Sequence, residues 1–108
     1  MTVLRALLAA ALLLVAAPAQ AEDVTVGSKK FTESVILGEI AAQIARTEGL
    51  TARHRRELGG TRVLWEALLR GDIDLYPEYT GTIRQELLQG ADADSPEAMR
   101  AALAARGV

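Results

Sequence analysis

This 108-residue sequence predicts an α/β fold built on a short parallel sheet, and three observations carry that expectation. Polar and β-branched residues alternate through Asp23-Val24-Thr25-Val26 and stop at Gly27-Ser28, the pattern of a short strand. Ile36, Ile40 and Ile44, with Leu37 and Ala41 beside them, then follow at helical spacing as one apolar stripe. The change from one period to the other repeats down the chain. Strands alternating with helices make a parallel sheet joined by right-handed crossovers.

Residues 1–21 have the layout of a secretory leader. One positive charge lies within Met1–Arg5, and an apolar run spans Ala6–Ala17. Ala19-Gln20-Ala21 supplies small residues for cleavage after Ala21, with Glu22-Asp23 directly behind. The alternative is an uncleaved membrane anchor. Against it, the run is shorter than the roughly 20 residues a spanning helix needs. The expected mature chain, residues 22–108, suffices for one small domain that buries little core.

Within it, Thr32-Glu33-Ser34 offers hydroxyls and a carboxylate where the first helix begins, and Gly49 is its expected stop. Thr51–Leu58 is polar enough for an edge strand. Gly59-Gly60-Thr61 turns into a second helix with Leu64, Trp65, Leu68 and Leu69 on one face and Gly71 past its end. Asp72–Tyr76 suggests a third strand, and a third helix is expected from about Gly81 to Gln89, carrying Ile83, Leu87 and Leu88. Ser95-Pro96-Glu97 is a strong helix start, for a last helix running to Arg106 and closed by Gly107.

Several chemistries are excluded by composition. The chain has no cysteine and one histidine, so neither a disulfide framework nor a metal-ligand set is available, and no cofactor motif is present. A net charge of −2 argues against a nucleic-acid partner. His54 lies within Arg53-His54-Arg55-Arg56, expected to be a solvated basic face, and no nucleophile–base pair is visible. The spacing of Gly27-Ser28-Lys29-Lys30 does not match a phosphate loop. An enzyme is not expected.

In parallel sheets, ligands bind beyond the carboxyl ends of the strands. Three loops belong there: Ser28–Phe31, Gly59–Thr61 and Tyr76–Thr82. Both tyrosines, Tyr76 and Tyr79, fall in the last one. Tyrosine faces attract a cation, by roughly 0.5–2 kcal/mol each. Lys29 near a helix start, with Thr80 and Thr82, suits an anion. Rings for a cation beside donors for a carboxylate describe a zwitterion site. The plainer alternative has Tyr76 capping the sheet end and Tyr79 packing on a loop.

Taken together, VTVGSKKFTESVILGEI, LGGT and DIDLYPEYTGT, covering Val24 to about Leu88, resemble the substrate-binding proteins of ABC importers for glycine betaine, choline, proline and related osmoprotectants. The resemblance implies a partial lobe of a type II-like periplasmic binding protein, exported to the periplasm or secreted, whose two lobes close on a quaternary ammonium ligand. It also implies an importer permease subunit as partner. By the family's motifs, Lys29 and Thr82 would contact the ligand carboxylate and Tyr79 would contribute to the aromatic cage. Ser28, Gly60, Thr61, Tyr76 and Thr80 are possible lining residues, with Tyr76 and Glu78 mainly shaping the loop. Lys30 stands where an uncharged polar residue is common in the family. The sequence ends at Val108, so the second lobe is expected to be missing and the site to be an open half. The alternative reading is a truncated or split product without ligand binding, acting at most as an interaction module.

Overall fold

Val26, with no solvent exposure, sits where the elements meet. The computed structural model describes residues 22–108; the leader and its cleavage site lie outside them. β1 (Asp23–Gly27) pairs in parallel with β2 (Thr51–Arg55) along its whole length, from Asp23↔Thr51 to Gly27↔Arg55. The expected edge strand is therefore present.

The expected third strand is not. Asp72–Tyr76 contributes a single bridge, Leu75 to Val26, on the other edge of β1. Asp74 N donates to Thr25 O at 2.8 Å and Gly27 N to Leu75 O at 2.9 Å. The Asp74 carboxylate takes the Thr25 N–H, at 2.7 Å, where a ladder would use a carbonyl. Pro77 follows with no N–H to offer, so the pairing cannot extend.

The crossover from β1 to β2 is α1 (Thr32–Thr47), and its orientation corrects the expectation from periodicity. Ile36, Ile40 and Ile44 are 55%, 49% and 58% exposed. The buried face is instead Ser34, Gly38 and Ala42, also four residues apart. The reason is distance. A Cβ on Gly38 would lie 2.6 Å from His54 Nε2 and 3.1 Å from Ser28 Cβ, so the helix approaches the sheet at backbone range. Ala42 then joins Val26 and Ala52 in one small core, flanked by Val24, Ala41 and Ala45.

Strand alternation turns Gly27 the other way, toward α2 (Thr61–Arg70). There Leu64, Ala67 and Ile73 form a second core with Leu58, Leu68 and Tyr76 around it. Trp65 is buried as expected, whereas Leu69 is 49% exposed. Gly71 ends α2 at φ 77°, a left-handed cap open to glycine at no steric cost.

After the bridge, α3 (Thr80–Thr82) runs directly into a π-helical turn, Ile83–Leu87. α4 (Pro96–Ala104) begins as its sequence demands, with the Ser95 hydroxyl accepting from Ala98 N at 3.1 Å and Pro96 in the first turn. It stops two residues short of Arg106. Leu88, Ala93 and Met99 make a third, separate apolar cluster. Among the described residues no helix is long and apolar enough to cross a membrane.

Candidate functional site

The parallel register brings the three expected loops to one end of the sheet. Ser28 N donates to Arg55 O at 3.1 Å, and Leu58 N returns a bond to Ser28 O at 3.0 Å. Lys30 N donates to Gly59 O at 3.0 Å, tying the first loop to the second. Between them Glu57 adopts φ 52°, a left-handed backbone uncommon outside glycine that turns the chain from β2 into this loop.

Lys29 joins all three loops. Its ammonium lies 2.6 Å from Glu78 Oε1 and 3.0 Å from Thr61 Oγ1. Both charged side chains are only 7% exposed, so this is a buried ion pair. Its attraction is set against the cost of taking both charges out of water. Glu78 Oε1 also accepts the backbone N–H of Tyr79 at 3.0 Å, whereas Oε2 is buried without a hydrogen-bond partner among the described residues. Tyr76 packs half-buried against the α2 core. Burial, and then the neighbouring Glu78 charge, raise its phenol above the ordinary tyrosine value, which keeps it protonated.

Tyr79 is different. It is 38% exposed, and its ring centroid lies 6.3 Å from that of Phe31, with the planes 32° apart. Its hydroxyl donates to Glu33 Oε1 at 2.6 Å, on the first turn of α1, and that bond is the main reason its pKa is raised. Phe31, 43% exposed, was not singled out by sequence reasoning. A signal was available: of four aromatic residues in the chain, only Trp65 lies outside these loops.

The other expected lining residues divide. Ser28 is wholly buried, with its hydroxyl against His54 at 2.8 Å, so its side chain sits behind the loop. Gly60 is the N-cap of α2, and Thr61 Oγ1 holds Lys29. Thr82 is half-buried, one turn past Tyr79. Thr80 is exposed and borders a groove of about 270 Å³ shared with Arg84, Ser95, Met99 and Arg100.

His54 also departs from expectation. Its side chain is 2% exposed, not a solvated member of a basic face. On β2 it alternates with Arg53 and Arg55, so it turns inward where they turn out. Its Nδ1 lies 2.9 Å from Glu39 Oε2. Bonds from His54 first, then from Gln43 and Arg46, hold the Glu39 carboxyl down at about 2.

Comparison with known proteins places the fold and the family. Residues 22–107 match the model of the substrate-binding domain of ABC-type glycine betaine transport systems. The glycine betaine-binding protein YehZ of Escherichia coli (strain K12) is 43% identical over 61 residues, which are 56% of this chain and 20% of YehZ. The ergothioneine transport permease/ergothioneine binding protein EgtU of Helicobacter pylori (strain G27) is 40% identical over 78 residues, 70% of this chain and 14% of EgtU. The structure of apo YehZ from E. coli superposes with a TM-score of 0.62 at 33% identity, covering 76% of this chain and 30% of YehZ. The chain thus spans a fifth or less of the curated relatives it matches. Proteins of this kind bind solutes for transport and are not enzymes, as the residues led one to expect. This chain belongs to the family of substrate-binding domains of ABC-type glycine betaine transport systems.

Proposed function

We propose that the chain is the N-terminal portion of an exported solute-binding component of an ABC importer. Its ligand is glycine betaine or a related quaternary ammonium osmolyte such as choline. The observation that carries this reading is the pair of exposed rings, Phe31 and Tyr79, held 6.3 Å apart beside Lys29. A quaternary ammonium has no N–H to donate, so ring faces are its natural partners. Tyr79 supplies such a face. Lys29 spends two of its three N–H groups on Glu78 and Thr61, which leaves one for a ligand carboxylate. Thr82 adds a hydroxyl, and Gly60, Thr61, Tyr76 and Thr80 border the site, with Ser28 supporting it from behind. The second lobe and the permease subunit are the partners this reading requires, and the periplasm is the compartment.

The test is a titration of the full chain by NMR shift changes, which detect binding down to millimolar affinity. Glycine betaine should move the resonances of Phe31, Tyr79 and Lys29, with a sugar and a dipeptide as controls that do not. Ergothioneine, also a trimethylammonium zwitterion, forms a further arm because of the similarity to EgtU. Shifts confined to α4, or none at any concentration, would end the proposal.

A further inference from the structure

Behind the loop, three polar side chains from three elements form a relay. Ser28 Oγ lies 2.8 Å from His54 Nε2, and His54 Nδ1 lies 2.9 Å from Glu39 Oε2. The other oxygen of the Glu39 carboxylate, Oε1, is held by Arg46 at 3.2 Å and Gln43 at 3.4 Å, while Arg56 lies 3.7 Å from Oε2. A carboxylate can only accept, so Nδ1 carries the imidazole hydrogen. In the neutral imidazole Nε2 is then the acceptor, and the Ser28 hydroxyl donates to it.

Serine, histidine and carboxylate in this order also describe a nucleophile, its base and the group that orients the base. Catalysis is ruled out by access. Ser28 has no solvent exposure, and the α1 backbone at Gly38 closes directly over it and His54. What the relay reaches is the loop. Ser28 is bonded through its N–H to Arg55 and through its carbonyl to Leu58, while the next N–H, of Lys29, donates to Ser34 Oγ at 2.8 Å. The bond to His54 adds the side chain, so Ser28 is held at three points directly before the lysine.

We propose that His54, oriented by Glu39, is a positioning residue of the candidate binding loop: by accepting the Ser28 hydroxyl it sets where Lys29 and Phe31 begin. The effect on loop order follows from this geometry alone; only the effect on affinity rests on the ligand reading above. The Ser28 hydroxyl has no other partner among the described residues, so its hold depends on His54. The groups facing the imidazole are Glu39, with Gln43 and Arg46, from α1, Arg56 beyond β2, and Ser28 at the end of β1.

The experiment uses the full chain as wild type, His54→Phe, His54→Gln and Ser28→Ala. Imidazole nitrogen shifts at neutral pH should show hydrogen on Nδ1 and none on Nε2. His54→Phe should speed amide exchange at Lys29, Lys30 and Leu58 by about tenfold relative to Ala42 and Ala45, the loss expected for one buried hydrogen bond. His54→Gln, whose amide oxygen can still accept, should recover much of that protection. Glycine betaine affinity should fall in His54→Phe and be largely recovered in His54→Gln. Hydrogen on Nε2, unchanged loop exchange, or a uniform rise across the chain would each overturn the proposal. If His54→Phe fails to fold, Ser28→Ala removes one oxygen and must give the same loop-specific rise. A loop that responds as expected in a chain that ignores betaine would remove the ligand reading and leave the positioning role standing.

Discussion

Lys29 and Tyr79 belong to the same cluster of loops, yet their surroundings are opposite. Lys29 is buried, neutralised by Glu78, bonded to Thr61, and backed by the relay through Ser28, His54 and Glu39. Tyr79 and Phe31 turn large parts of their rings to solvent and are steadied by one hydroxyl bond to Glu33. The difference separates two requirements of a zwitterion site. A lone buried ammonium would lower its own charge or the stability of the fold, so it comes with an internal counter-charge. Ring faces need no such counterpart and can wait exposed. One half of the site therefore holds the loops together and keeps one ammonium N–H in reserve, while the other half presents open ring faces.

The largest expected effect breaks the buried half. Lys29→Ala leaves Glu78 charged, buried and already lacking a partner for Oε2, and should cost about 3–5 kcal/mol in urea unfolding. Lys29→Met combined with Glu78→Gln should restore most of that loss, since the charge and its partner leave together. A single-variant loss under about 1 kcal/mol would mean that water solvates the pair, and the contrast with Tyr79 would disappear.

The open half should respond in affinity and hardly in stability. Tyr79→Ala removes a ring face worth roughly 0.5–2 kcal/mol to a bound cation, whereas Tyr79→Phe keeps the face and loses only the bond to Glu33. Shift titrations with glycine betaine should therefore rank wild type first, Phe close behind and Ala last, with similar unfolding midpoints for all three. If Phe and Ala weaken binding equally, the hydroxyl and not the face is the recognition element.

The same contrast explains what was legible in the sequence. Strand and helix alternation, the Ser95 cap and the Gly71 stop follow local rules and were readable residue by residue. The convergence of the loops was readable too, because parallel strands leave their carboxyl ends on one side. Which face of α1 is buried was not. Ile36, Ile40 and Ile44 share their spacing with Ser34, Gly38 and Ala42, and only the close approach to His54 and Ser28 selects the small residues. Periodicity finds a stripe but not the distance at which a helix packs. His54 was misplaced for a related reason. Its arginine neighbours suggested a uniform charged face, although a strand sends alternate residues to opposite sides. The Lys29–Glu78 pair spans 49 positions, and no local pattern marks it.

The smallest effect probes what stands behind the buried half. The Glu39 carboxyl lies at about 2 in the folded chain against an ordinary 4.5, held down chiefly by His54. The unfolded chain therefore takes up this proton first as pH falls. The contribution of Glu39 is complete above pH 4.5 and is lost between there and about 2. Across that window the thermal midpoint of wild type should drop more steeply than that of Glu39→Gln, whose side chain has no proton to gain. Because Glu39 lies near the surface, the difference should be modest and should shrink in high salt. Parallel slopes would mean that the carboxylate is not held by His54 in solution. Ser28 would then be tied to an imidazole of unfixed tautomer, and the loop before Lys29 would lose the support that distinguishes it from the open ring side.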